Sequence, residues 1–78
     1  MRPLTVNVNR PELVNDLVHA LQRSGCRVRR TGPWSCAVEH LEAMDEDEAR
    51  VEVTFFLRAW QTRHTCAQAA VAPPLGAL

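Results

Sequence analysis

Seventy-eight residues suffice for one domain with a thin core, and nine basic against nine acidic side chains leave zero formal net charge. That balance excludes a global field drawing the chain to nucleic acid or to an anionic membrane. Three cysteines without a CxxC pair fit a reducing compartment, and no stretch approaches the ~18 apolar residues of a membrane span, so a cytoplasmic location is expected.

Leu4-Thr5-Val6-Asn7-Val8 alternates apolar and polar with a period of two, the pattern of a strand that buries Leu4, Val6 and Val8 and shows Thr5 and Asn7. Asn9 then reads as a helix N-cap, with Glu12 at the third helical position and Pro11 in the first turn, where its missing N–H costs nothing. The helix carries a core stripe of Val14, Leu17, Val18 and Leu21, flanked by Leu13 and Ala20, and runs to Ser24. Gly25 stops it as a left-handed C-cap. Glu12, Asp16, His19 and Arg23 fall on its outer face and read as a solvated stripe with weak ion pairs.

Cys26 to Thr31 forms a second alternating strand, with Cys26 and Val28 on one side and Arg27 and Arg29 on the other. Gly32-Pro33 marks a turn, and a third strand from Trp34 to Leu41 places Trp34, Cys36, Val38 and His40 together. For the buried sets of this hairpin to share a side, Val28 is expected opposite Cys36 across an odd loop of about three residues.

The stretch from Asp45 to His64 holds both phenylalanines and one of the two tryptophans. At helical spacing Ala49, Val53, Phe56, Leu57 and Trp60 share one face. Residues 50–57 also alternate as a strand would, and the end signals favour the helix. Asp45 with Glu48 resembles a capping box, Glu46 and Asp47 suit the positive end of the helix dipole, and Arg58, Arg63 and His64 suit the negative end. At about 100° per residue Val51 and Phe55 point away from the core face, with Ala59 to one side. That strip is the expected contact with a second copy or another protein. Gln68 to Ala72 is the last candidate strand, so residues 1–72 read as one α+β domain and residues 73–78 as a flexible tail.

The order strand, helix, strand, strand, helix, strand resembles the ferredoxin-like βαββαβ superfold over residues 4–72. The resemblance implies an antiparallel sheet with both helices on one face. Leu57-Arg58-Ala59-Trp60-Gln61, ending at His64, also looks like a motif of short uncharacterised proteins of GC-rich bacteria. There Pro-Gly usually follows the histidine, where this chain has Thr65-Cys66. The all-arginine cation set and the absence of lysine, isoleucine and tyrosine fit such a genome. Neither resemblance carries a function.

No catalytic residue, cofactor or metal ligand set is expected. The cysteine and histidine spacings show no pair of pairs, and the pairs Cys36 with His40 and Cys66 with His64 lack a third, orienting group. The acidic run at Asp45 lacks the alternating ligands and central glycine of a calcium loop. Three glycines form no phosphate loop. Two functional expectations follow, both non-catalytic. The first is an interaction or regulatory domain using Val51, Phe55 and Ala59; the alternative is a small-ligand, phosphate or nucleic-acid site made by Thr5, Arg27 and Arg29 on the open sheet face. The RNP signatures and stacking aromatics of RNA-binding sheets are missing from that face, which disfavours nucleic acid.

Overall fold

The computed structural model describes residues 3–73; beyond Pro73 the expected tail lies outside them. Strand β1 (Leu4–Val8) leads through a 3-10 turn (Pro11–Leu13) into helix α1 (Val14–Arg23). A hairpin of β2 (Cys26–Gly32) and β3 (Ser35–His40) follows, then the long helix α2 (Glu46–Arg63) and the short β4 (Ala69–Val71). The fold is α+β, a four-stranded sheet in the order β2-β3-β1-β4 with every pairing antiparallel. Each helix joins two strands that sandwich a third, so the chain contains two interlocked split βαβ units, the connectivity implied by the ferredoxin-like resemblance.

One core forms between the sheet and the helices. Leu4, Val6, Val8, Cys36 and Val38 from the sheet meet Val14, Leu17 and Leu21 of α1 and Ala49, Val53, Leu57 and Trp60 of α2, all buried. Both helices therefore cover the same face of the sheet, and the strand reading of residues 50–57 gives way to the helix. The Asp45 carboxylate accepts the Glu48 backbone N–H at 2.8 Å, an N-cap bond that satisfies one of the orphan donors of α2. Gly25 has φ 90°, the left-handed geometry that lets the chain leave α1 and enter β2 at once.

Four sequence expectations are corrected. Asn9 caps no helix: its Oδ1 accepts from Gln68 N at 2.6 Å while its own N–H donates to Gln68 O at 3.0 Å, a two-way bond that holds the approach to β4. The α-helix proper begins four residues beyond Arg10, after the 3-10 turn imposed at Pro11. Val28 pairs with Val38, not Cys36, and Arg30 stands opposite Cys36. The shift is two residues, which preserves side-chain parity, and a bulge between Arg30 and Gly32 takes up the odd residue. Trp34 then occupies the turn with Pro33 and is 52% exposed instead of buried.

Candidate functional site

Helix α2 presents a fully buried side and a free side. Val51 is 64% and Phe55 73% exposed, one turn apart, with Ala59 exposed beside them. Arg50, Val51, Thr54, Phe55 and Arg58 line a shallow groove of about 240 Å³ along this side. The helix is held from both ends of its length: Arg50 Nη1 donates to Ala72 O at 2.7 Å, and Gln61 Nε2 donates to Ala69 O at 3.2 Å. Trp60, Leu57, Val53 and Ala49 are seated in the core, so helix rotation cannot hide Phe55 without expelling Trp60.

The open sheet face places Thr5, Ala37 and Arg29 in one cross-strand row and Glu39 with Arg27 in the next. Thr5, Arg27 and Arg29 are exposed, as the alternation implies. Arg27 faces Glu39 at 3.7 Å, so one of the two arginines already has a carboxylate, which also repels an anion approaching there. Arg29 has no hydrogen-bond or ion-pair partner among the described residues. Pro3, Arg27, Val28, Arg29, Ala37 and Glu39 enclose a depression of about 230 Å³.

Arg30, which the sequence groups with Arg27 and Arg29, points elsewhere. Its guanidinium donates to Asn15 Oδ1 at 3.0 Å and to the carbonyls of Gly32, Pro33 and Pro11 at 3.0, 3.1 and 3.3 Å. The planar fork of an arginine suits such a cluster of acceptors, and here four bonds brace the hairpin turn and fasten it to Pro11 and to Asn15 at the start of α1. Arg30 is therefore spent on structure.

Two constellations of titratable groups lie at opposite ends of the helix layer. Asp16, expected on a solvated stripe, accepts Trp60 Nε1–H at 2.9 Å and lies 3.3 Å from His64 Nε2. His64 stacks on Trp60 with ring centroids 4.4 Å apart, and its Nδ1 is 3.1 Å from Trp60 O. A carbonyl only accepts, so Nδ1 carries a proton, and Nε2 faces a carboxylate. Both ring nitrogens face acceptors of the protein itself, and the ring is fixed between Trp60 and Asp16.

Cys26, His40 and Glu52 line a cavity of about 130 Å³ at the opposite end of the helix layer, with Cys26 directly across from His40 in the sheet. His40 Nδ1 accepts the Glu42 N–H at 3.3 Å, so a neutral ring presents only its Nε2–H donor to other groups. Burial raises the Cys26 thiol above its ordinary value. It raises Cys36 to about 11, against an opposing pull from Arg30. Neither buried cysteine is an activated nucleophile. Cys66 is exposed. Among the described residues no group of three or more His, Cys, Asp or Glu side chains is placed to hold a metal ion, and no helix is long and apolar enough to cross a membrane.

No protein-family model, no curated protein and no solved structure matches the chain.

Proposed function

We propose that the protein is a small non-catalytic interaction domain of the cytoplasm, working as a homo-oligomer or as the accessory of a larger protein, and that the outer side of α2 is its contact surface. The observation that carries this reading is Phe55, 73% exposed beside an exposed Val51 on a helix whose other side is fully packed. A large aromatic held in water on a rigid element gains most from burial against a partner, and such residues serve as anchors at interfaces. The raised pKa of the buried thiols and the packing of His64 against Trp60 support a non-catalytic role.

Site-specific photo-crosslinking in cells expressing the protein tests the proposal. With benzoylphenylalanine at Thr62, on the outer side of α2, a defined adduct is expected that disappears when Phe55→Glu is added. A probe at exposed His19 on α1 should give none. Equal adducts from both positions, or an adduct indifferent to Phe55→Glu, would remove the surface from consideration.

A second reading rests on Arg29, whose free guanidinium borders the depression on the open sheet face. In that reading Arg27, Arg29 and Thr5 hold a small anion or a phosphate group. The Glu39 carboxylate beside Arg27 counts against it. Titration with inorganic phosphate, followed by amide chemical shifts at Thr5, Arg27 and Arg29, decides: saturable, salt-sensitive shifts confined to those residues would favour it over the interaction domain.

A further inference from the structure

The charges on α2 are divided by Phe55. Glu46, Asp47, Glu48 and Glu52 precede it, and Arg58 and Arg63 follow. Arg50, the basic residue of the first half, is turned aside to bond Ala72 O. At about 100° per residue, Glu48, Glu52, Ala59 and Arg63 lie on one flank of Phe55 and Asp47, Val51, Arg58 and Thr62 on the other. A partner with the same segregation fits this surface in one orientation. Laid parallel, a second copy of α2 would set acid on acid and base on base. Laid antiparallel about a two-fold axis close to Phe55, each acidic half lies over a basic half, and the two helix dipoles oppose.

From this self-complementarity we infer that the partner of the α2 surface is a second copy of the same chain, docked antiparallel with the dyad near Phe55. The inference rests on the interaction-domain reading and adds to it the partner and the geometry. A two-fold perpendicular to the helix pair brings each flank against the same flank of its mate. Glu48 lies roughly 10 Å before Phe55 and Arg63 roughly 12 Å after it along the axis, so Glu48 meets the partner's Arg63, twice by symmetry. On the second flank Arg58 lies over the partner's Val51. Its aliphatic stem covers that side chain while the guanidinium reaches toward the partner's Asp47. Ala59 is small enough to let the helices approach beside the two Phe55 rings.

Charge exchange tests the geometry. Analytical ultracentrifugation of the full chain across the micromolar range should show a wild-type dimer. Glu48→Arg and Arg63→Glu, each setting like charges together at two symmetric places, should each weaken dimerisation about tenfold. The double variant Glu48→Arg/Arg63→Glu should recover affinity to within about threefold of wild type. Melting curves check that each variant is folded; should Glu48→Arg unravel the first turn of α2, Arg63→Glu at the other end still makes the comparison. A dimer indifferent to Arg63→Glu, or one strengthened by Glu48→Arg, overturns the antiparallel register. A wild type that stays monomeric overturns the second copy as partner. Neither result bears on the crosslinking test of the surface itself, where an adduct heavier than a dimer would point to a different protein.

Discussion

The indole N–H of Trp60, on the buried side of α2, donates to the carboxylate of Asp16 on α1 at 2.9 Å. This bond ties the two helices together above the sheet. It also explains how a fully buried tryptophan satisfies the one polar atom it carries.

The bond sets a graded expectation for stability. Trp60→Ala removes the largest buried side chain of the core and should cost about 3 to 5 kcal/mol, enough to unfold so small a domain. Asp16→Ala leaves the ring in place and only withdraws its acceptor; the carboxylate is half exposed, so water can replace it, and a cost of about 1 kcal/mol is expected. Urea unfolding of both variants measures the difference. Near-native stability of Trp60→Ala would contradict the seating of α2.

The three arginines of β2 should behave in opposite ways. Arg30→Ala gives up four hydrogen bonds, two within the hairpin turn and one each to the 3-10 turn at Pro11 and to Asn15 of α1, and should lower stability by about 1 to 2 kcal/mol. Arg27→Ser/Arg29→Ser alters only the exposed face and should stay within about 0.5 kcal/mol. Thermal melts of the two variants are the check, and an equal loss would mean that the Arg30 clasp contributes nothing.

Thiol chemistry supplies a pH-dependent expectation. In the fold burial holds the Cys36 thiol protonated up to about 11, whereas its ordinary value is 9.0. Because the folded value is the higher one, the associated stability is fully present below 9.0 and is lost as pH rises through about 11. Cys26 is displaced in the same direction. Urea midpoints of the wild type should therefore fall more steeply across this window than those of Cys26→Ala/Cys36→Ala. In the native protein a thiol reagent should titrate Cys66 promptly and reach Cys26 and Cys36 only on unfolding.

What the sequence made legible follows from what determines each feature. The strands around Val6 and Val38, the two helices and the stop at Gly25 are local patterns of period and cap, and they read correctly. The hairpin register did not, because a shift of two residues leaves the same side chains facing inward and only the bulge between Arg30 and Gly32 distinguishes the two. Asn9 carried a local cap signal that a distant partner, Gln68, overrode. Asp16 looked like solvated surface for a similar reason: its bonds reach 44 residues along the chain to Trp60. A signal was nonetheless present, since a tryptophan placed in a core needs an acceptor for its N–H, and Asp16 is a carboxylate on the facing helix. The surface at Val51 and Phe55 was visible as apolar residues opposite a complete core stripe. The charge division around Phe55 depends on Arg50 turning away toward Ala72, a bond across 22 residues that no local pattern signals.

In the proposed assembly α2 contacts a second copy of the chain through Phe55. Sedimentation equilibrium of the wild type beside Phe55→Glu is the decisive measurement, with circular dichroism to confirm that helicity is retained. A dimer that Phe55→Glu splits into folded monomers is expected, because a charge placed at the dyad meets its own copy in a desolvated contact. A wild type that sediments as a monomer at every concentration, or a dimer that Phe55→Glu leaves intact, would contradict it.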